Sequence, residues 1–487
     1  MRPTFMGLET AKRGIMVNQK ALDIVSNNIS NVKTPGYTRQ RLDTVSVQVA
    51  PRAGTNNRTI GLAGQGVDAL GVRQVRNSFL DGRFREEYGD VGYYDQKALM
   101  LNEVEAAISD PETEGTGLQN ALEELVKTLT QFSENPYQDT QGNIVMNAFT
   151  GITHILNQYD SKLKTIREHQ TEDLSIYVDE VNTKLQQVAE LNKAISEQVF
   201  TGQDYDGVNY GPNDLLDQRN LLLDELGRYG SLQVTGRDGG NVEVKFNGRI
   251  VIGKNGDFNT ADRINLGADG ISMKWGSDGR AVSLETGVLK ASAEVLKGST
   301  VSEKGIPYYQ NQLDIFAQKF AEAYNKIIPN DNGADGFKTL LESADGGPVT
   351  AGSIAISSDW AKDPTFVIQR GNPDGDKDNT HILEAKNLLD EKMDFNGSFT
   401  GTLTQYMTFI VTGLGSDIAM NDSRLDTAVS TAESVDEDRM ATSGVSINEE
   451  GIEMMTYNKA YQAMARLLTA MDEQLDVLIN KTGLVGR

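Results

Sequence analysis

Apolar residues recur with heptad spacing at both ends of the 487-residue chain. Near the C-terminus, steps of three and four residues connect Met454, Tyr457, Tyr461, Met464, Leu468, Met471, Leu475 and Leu478. Near the N-terminus, the same steps connect Leu8, Ala11, Ile15, Asn18, Leu22, Val25, Ile29 and Val32. Such heptads predict long helices whose apolar faces must be covered by other helices. We therefore predict that residues 1–40 and 447–487 pair as a coiled-coil stem.

The stem helices lack the charged flanks that a simple two-stranded coil usually carries. Beside the C-terminal heptads lie the uncharged residues Ala460, Ala465, Leu467 and Gln474, with Asp472 as an exception. Gly7 and Gly14 keep the first helix narrow. Although a long amphipathic helix is more often intramolecular core, these flanks predict lateral packing against other copies of the chain; the sequence does not specify the symmetry.

Between the two ends, the pattern is mainly helical with one β-rich interval. Helical periodicity predicts long helices over 79–108, 118–132, 139–200, 306–328, 379–390, 397–414 and 417–442, with Asn213 as the N-cap of another helix. From 232 to 284, short alternating runs separated by Asn-Gly and Asp-Gly predict a small antiparallel β insert. A glycine-rich loop is expected over 61–71, and short strands near 352–357 and 365–370.

These elements predict a mainly α fold with a small antiparallel β insert and a rod-like middle domain of long helices. The helical domain would comprise residues 41–231 and 285–446, interrupted by the β insert at 232–284. Residues 329–372 would form a short variable outer segment. A chain of this length is too long for one core, so several domains are expected.

Composition excludes several classes of protein. The formal net charge of −23 argues against binding to nucleic acid, because phosphates repel an acidic surface. The chain has no cysteine, so neither a disulfide framework nor a thiol nucleophile is expected. No apolar run is long enough to span a bilayer or to serve as a cleaved secretory signal, so neither is predicted.

Candidate catalytic and metal-binding residues are few. His154, His169 and His381 belong to no metal-binding spacing, so we expect them to be structural or solvated. Alternating aspartates at 374, 376 and 378 suggest a calcium loop, but the twelfth position of such a loop is Ala385 instead of the required glutamate. A polar turn before a helix is the favoured interpretation. We therefore predict no catalytic, cofactor-binding or metal-binding residue.

Several motifs resemble a known family. Residues 27–40 closely resemble the N-terminal signature of bacterial flagellar rod, hook and hook-associated proteins, through Asn27, Asn28, Asn31, Pro35, Gly36 and Tyr37. The ending Tyr37-Thr38-Arg39-Gln40 looks like that of the hook-associated protein 1 family. Residues 213–219 and 375–379 are similar to internal motifs of that family, and residues 443–450, 457–461 and 475–480 to its C-terminal signature. The segment 329–372 is shorter than the variable insertion expected of a member.

The resemblance implies a non-catalytic structural subunit at the junction between hook and filament, without a cofactor. Its terminal helices would form the inner coiled-coil layer, and would tend to be disordered in isolated subunits. The implied partners are the hook protein, the second hook–filament junction protein, further copies of the chain in a helical ring, and an export chaperone at the C-terminal region. The implied localisation is the flagellum, reached by flagellar type III export without a cleaved signal and without membrane insertion.

Two alternatives remain open at this point. The chain could be another axial component, such as a hook or rod subunit or the second junction protein; the motif at 213–219 and the C-terminal signature argue against this. It could instead be an exported enzyme on a flagellar scaffold, which would require a catalytic cluster in the insert 232–284. That insert contains no histidine and no cysteine, so the enzyme hypothesis is disfavoured.

Overall fold

The computed structural model describes residues 4–47, 64–108, 117–201, 211–330, 335–368 and 379–481. The helices are α1 (Thr4–Ser30), α2 (Ser78–Ile108), α3 (Leu118–Glu134), α4 (Asp139–Thr201), α5 (Asn213–Tyr229), α6 (Val288–Lys297), α7 (Ile306–Tyr324), α8 (Ser358–Lys362), α9 (Thr380–Asn387), α10 (Leu403–Ser443) and α11 (Ile447–Asp476). The strands are β1 (Gln40–Ser46), β2 (Val67–Gln74), β3 (Leu232–Gly236), β4 (Val242–Phe246), β5 (Arg249–Ile252), β6 (Ile264–Leu266), β7 (Met273–Trp275), β8 (Leu341–Ser343), β9 (Ile354–Ile356), β10 (Met393–Asp394) and β11 (Thr400–Gly401).

The prediction of a mainly helical chain with small antiparallel sheets is confirmed. Among the described residues, the largest sheet has three strands in the order β3-β4-β5, and the other strands pair in twos. β3 to β7 all fall within 232–284, where β3–β4, β4–β5 and β6–β7 are antiparallel. Asn-Gly at 247–248 joins β4 to β5, and both residues adopt the positive φ that such a tight turn requires.

Long helices packed side by side form most of the body of the molecule, which we define as α2 to α10 with strands β1 to β11. α4 contains 63 residues, and its inward face repeats every seven residues. Leu174, Val181, Val188 and Ile195 all have 0% exposed surface. α4 packs against α3 and α5, and α2 packs against α10, α5 and α6. The residues whose near-heptad spacing predicted this helix therefore form its buried face.

An aromatic cluster fills the body where α4 meets α7 and α8. The ring of Phe149 lies 4.9 Å from Tyr324, 5.2 Å from Trp360 and 5.7 Å from Phe320, measured between centroids. All four side chains are at most 1% exposed. Aromatic rings of this size dominate the energetics of a core, so this cluster stabilises the packing of α4 against α7 and α8.

Buried asparagines attach the β insert to α4. Asn182 donates a hydrogen bond from Nδ2 to the Ile264 carbonyl oxygen (2.9 Å) and accepts one at Oδ1 from the Ile264 amide (3.0 Å). Asn192 bonds the carbonyl oxygen and the amide of Val242 in the same way, at 3.0 and 3.2 Å. Its Oδ1 also accepts a hydrogen bond from Arg219 at 2.8 Å. Each amide satisfies backbone groups that the short strands leave unpaired.

Three local predictions are wrong. The helices expected at 397–414 and 417–442 are one helix, α10. Gly413 and Gly415 each destabilise a helix by about 1 kcal/mol, but burial of Leu414 and packing against α2 outweigh this cost. Part of the expected glycine-rich loop forms β2, which pairs with β1. Asn213 is not the N-cap of α5: Pro212 occupies that position, and Asn213 donates from its side chain to the Val72 carbonyl oxygen at 3.3 Å.

The strand expected near 365–370 is also absent from the described residues, since 365–367 form turns. The partner of β9 is β8, which sequence patterning did not indicate. The alternating aspartates at 374, 376 and 378 lie outside the described residues. Within the part of the chain that the structure describes, no helix combines the length and apolar character needed to cross a membrane.

Candidate assembly surface on the terminal helices

The two terminal helices pack against each other, and α11 has little other contact with the rest of the molecule. Gly7 faces Met471, and a Cβ at position 7 would overlap the Met471 methyl group. Gly14 faces Met464, where a Cβ would lie 3.2 Å from Cγ. Glycines at two successive heptad positions thus let the methionines of α11 lie directly on the α1 backbone. We refer to α1 and α11 together as the terminal pair.

The structure brings most of the predicted α11 heptad residues toward α1 but covers them only in part. Six of these side chains are half-buried: Met454, Tyr457, Met464, Leu468, Met471 and Leu475. Tyr461 is 36% exposed and Leu478 is 50% exposed. On α1, Ala11 and Val25 are buried. The remaining predicted α1 residues, Leu8, Ile15, Leu22 and Ile29, are half-buried.

Further large apolar side chains of α11 and of the turn that follows it remain exposed. On α11 they are Ile447, Ile452, Met455 and Leu467, and in the following turn they are Val477 and Ile479, all between 46% and 71% exposed. Within the 30 residues of α11, only Glu450 is buried. Large apolar side chains left exposed along one helix, beside a heptad face that is only half-buried, are typical of an interaction site. One neighbour, α1, is therefore not enough to cover α11.

A polar cluster joins the terminal pair to the body. We call Asn28, Tyr37, Arg39, Gln40 and Glu450 the neck cluster. Asn28 is 1% exposed, and its Nδ2 donates to the Gln40 carbonyl oxygen (2.9 Å) and to Glu450 Oε2 (3.0 Å). Its Oδ1 accepts from the Gln40 amide (3.0 Å) and from the Tyr37 hydroxyl (2.8 Å). One side-chain amide thus connects α1, β1, the signature loop and α11.

Arg39 is surrounded by three carboxylates from the first turns of α11. Its Nε lies 2.7 Å from Glu450, and its two terminal nitrogens lie 3.0 Å from Glu449 and 3.2 Å from Glu453. The Arg39 amide donates to the Ser443 carbonyl oxygen at 2.9 Å, at the end of α10. A single residue before β1 therefore contacts both long C-terminal helices.

The mid-chain motif reaches the same region through Asp217 of α5. This carboxylate accepts hydrogen bonds from the Thr38 amide (3.3 Å) and from Gln74 Nε2 (2.8 Å). Burial raises the pKa of Asp217 above its ordinary value. Burial also raises the pKa of Tyr37, with the charges of Asp217, Asp214 and Glu450 adding to the effect. Tyr37 therefore remains a neutral hydrogen-bond donor at physiological pH.

The other signature residues shape the loop that leads into β1. Asn27 donates to the Tyr37 hydroxyl at 3.3 Å, and Asn31 accepts from the Thr34 hydroxyl at 3.1 Å. Gly36 adopts φ +77° beside Leu221, a backbone conformation that side-chain-bearing residues rarely adopt after Pro35. The resemblance identified these residues from the sequence; Arg39, Asp217 and Glu450 were within matched motifs but were not predicted as site residues. Charge alone did not single them out, because Arg41, Arg219 and Glu449 are close neighbours in the sequence.

Immediately beyond the neck cluster, a second charged group ties three helices of the body together. Asp224 of α5 lies 2.7 Å from Arg85 of α2 and 2.6 Å from Arg439 of α10. The Arg439 guanidinium also lies 4.0 Å from the centroid of the Phe84 ring. This group secures the end of α10 that leads into α11.

The described residues do not bring metal-binding side chains together. They contain no group of three or more histidine, cysteine or acidic side chains arranged to hold a metal ion. His154 and His169 are exposed on α4, whereas His381 is buried on α9. His154 and His169 thus lie on different turns of α4, and His381 lies on another helix.

Three segments of the chain match known protein families. Residues 101–338 match the helical domain of the flagellar hook-associated protein FlgK. Residues 8–38 match the flagella basal body rod protein family, and residues 438–481 match the C-terminal family of flagellar basal body rod FlgEFG proteins. The two terminal matches coincide with α1 and α11 and include the neck cluster residues Asn28, Tyr37 and Glu450.

Individual relatives agree with the family matches. Flagellar hook-associated protein 1 of Bacillus subtilis is 29% identical over 521 aligned positions, covering 100% of both chains. The Escherichia coli protein of the same name is 26% identical over 65% of this chain and 56% of its own length. The solved structure of the flagellar hook junction protein FlgK from Burkholderia pseudomallei aligns with 54% of this chain and 46% of its own, at 18% identity and a TM-score of 0.42. Along its full length, and in family matches at both ends and in the middle, this chain is thus similar to the flagellar hook-associated protein 1 family.

Proposed function

We propose that this chain is a structural subunit of the junction between flagellar hook and filament, and that it assembles through the terminal pair. The observation that carries the proposal is the uncovered apolar surface of α11, in which only Glu450 is buried. Burial of that surface between subunits would stabilise a ring by roughly 25 cal/mol per Å² of apolar area. Similarity supports the same role, because the relatives are named as hook-associated proteins.

The proposal divides the chain by function. The terminal pair would form the inner layer, and the long helices of the body would surround it with the β insert further out. The proposed units are residues 1–40 with 447–487, residues 41–231 with 285–446, the β insert 232–284 and the outer segment 329–372. No catalytic step is assigned to any of them.

The proposed partners follow from a position between two different structures. One end of the ring would contact the hook protein and the other the second hook–filament junction protein, while neighbouring copies would pack laterally. Before assembly, the exposed apolar residues of α11 would need protection, and an export chaperone bound to the C-terminal region would provide it. Export through the flagellar type III channel would deliver the subunit to the growing end.

Substitution of Leu475 by Asp tests the assembly surface. Leu475 is half-buried on α11, so the change places a charge at the proposed contact without touching the body core. We expect the variant to be exported but to leave hooks without filaments in electron micrographs. Leu99→Asp is a matched control, because Leu99 is 55% exposed on α2. Motile cells with normal filaments in the Leu475→Asp strain would contradict the proposal.

Deletion of the whole chain distinguishes the junction from other axial positions. A junction subunit predicts hooks of normal appearance that carry no filament. Loss of the hooks themselves would favour the second candidate, a hook or rod component. The matches of residues 8–38 and 438–481 to basal body rod families are the reason to retain that candidate.

A further inference from the structure

The single buried residue of α11 is a charged one. Glu450 has 0% exposed surface, while every apolar residue of the helix remains at least partly exposed. A buried carboxylate is costly unless it is paired and hydrogen-bonded. Here Arg39 and Asn28 supply both requirements, at 2.7 and 3.0 Å. The attachment of α11 near its start is thus polar and directional instead of apolar.

The connection between α10 and α11 makes such an attachment necessary. α10 ends at Ser443, and Gly444 adopts an extended conformation with φ −76° and ψ 161°. Because the helix is interrupted there, the direction of α11 is not determined by the direction of α10. Arg39 bridges the break, since its amide contacts Ser443 and its guanidinium contacts Glu449, Glu450 and Glu453.

We propose that Asn28, Arg39 and Glu450 are positioning residues that determine the direction in which the terminal pair leaves the body. The three side chains connect α1, β1 and the start of α11, so the pair and the body keep one relative orientation at the neck. Neighbouring subunits would then meet with their α11 surfaces in register. This inference rests on the proposed assembly function and adds to it the residues that orient the assembling surface.

Conformational freedom along α11 is expected to follow the positions of these contacts. The first turns, near Glu450, are attached on two sides, whereas the last turn, Val477–Lys481, is π-helical and includes Leu478 and Ile479 at 50% and 71% exposure. Hydrogen exchange of the purified full-length chain should therefore be slower in residues 445–458 than in residues 466–481. Arg39→Ala and Glu450→Ala should accelerate exchange at 445–458 at least tenfold, with exchange in α4 unchanged.

Matched variants separate positioning from general destabilisation. Arg41→Ala removes a neighbouring arginine that is 55% exposed at its side chain and lies 3.7 Å from Asp43, so it should leave exchange at 445–458 unchanged. Glu449→Ala removes one exposed carboxylate from Arg39 and should have a small effect. Glu450→Gln keeps the shape of the side chain and an acceptor for Asn28, so it should restore most of the protection lost in Glu450→Ala.

Assembly in cells completes the test. Arg39→Ala and Glu450→Ala should be exported at normal levels yet reduce filament-bearing hooks at least tenfold, with Arg41→Ala normal and Glu450→Gln largely restored. Exchange at 445–458 as fast as at 466–481 in the unaltered chain, or no acceleration in the two alanine variants, would overturn the inference. So would normal filament assembly despite accelerated exchange. Failure of the assembly proposal is recognised separately, by normal filaments in the Leu475→Asp strain.

Discussion

The body buries its apolar residues within the chain, whereas the terminal pair leaves its apolar residues partly exposed. In the body, α4 buries Leu174, Val181 and Val188 completely against neighbouring helices of the same chain. In the terminal pair, α11 follows a similar heptad pattern, yet its apolar residues remain at least partly exposed. The same sequence pattern therefore yields intramolecular core in one region and an uncovered surface in the other. The number of neighbouring helices makes the difference: among the described residues, α11 has extensive contact with one helix, α1, whereas α4 packs against several.

This comparison assigns different sources of stability to the two regions. The body is stable through its own core, and its attachment points are specific amide contacts such as that of Asn192 with Val242. The terminal pair depends on neighbours that the isolated chain does not supply. A subunit of this kind can remain unassembled in solution while its body is folded, and complete its apolar burial only in the ring.

Truncation of a core side chain should give the largest difference between the two regions in the free energy of unfolding. Phe149→Ala removes a ring that contacts Phe320, Tyr324 and Trp360, and should lower the free energy of unfolding by about 3–5 kcal/mol. Leu468→Ala on α11 should change it by less than about 1 kcal/mol, because a half-buried side chain loses little burial. Urea denaturation followed by tryptophan fluorescence measures the body, since both tryptophans lie there. Equal losses in the two variants would contradict the contrast.

Replacing a glycine by alanine should give a smaller difference, again with the body destabilised more than the terminal pair. A Cβ at Gly92 would overlap the Arg228 carbonyl oxygen, so Gly92→Ala should destabilise the body by about 2–3 kcal/mol through forced separation of α2 and α5. A Cβ at Gly7 meets the flexible end of Met471, which can move aside. Gly7→Ala should therefore leave thermal unfolding of the body unchanged and still support motility.

Protonation of Asp217 should have the smallest effect on the free energy of unfolding. Burial raises its pKa in the folded chain, so the folded state binds this proton more tightly than the unfolded state does. The contribution of Asp217 to stability is therefore full below the ordinary carboxyl pKa and decreases as pH rises through the raised value. Relative to Asp217→Asn, the unaltered chain should lose stability in urea titrations as the pH rises from the ordinary carboxyl pKa through the raised pKa of Asp217. Exposed Asp422→Asn provides the background, and a stability difference that grows with pH would contradict the assignment.

Much of the fold could be predicted from the sequence, because helix periodicity is a strong local signal. The expected helix at 139–200 corresponds to Asp139–Thr201, and the hairpin at Asn247-Gly248 lies between β4 and β5. The division of 403–443 into two helices was wrong because Gly413 and Gly415 weaken a helix locally without ending it when its face is buried. Tertiary packing overrides such signals and is not visible in a window of sequence.

The candidate site could be predicted only in part, for a similar reason. The apolar heptads indicated the faces of α1 and α11, because periodicity reports which side of a helix is apolar. The contacts of Asn28 with Glu450 and of Thr38 with Asp217 span more than 170 positions of sequence. Polar residues have no periodic signature that pairs them over such distances. The burial of Glu450 was therefore a finding of the structure alone.

Accessibility of the outer face of α11 tests the central claim most directly. The chain has no cysteine, so Ile452→Cys introduces a single thiol at a side chain that is 61% exposed. Ile176→Cys, at a 60% exposed position on α4, is the matched control. The account predicts that maleimide labels both positions in the purified subunit, and that position 452 becomes protected in isolated hook–junction complexes while position 176 remains reactive. Equal labelling of position 452 before and after assembly would contradict the account.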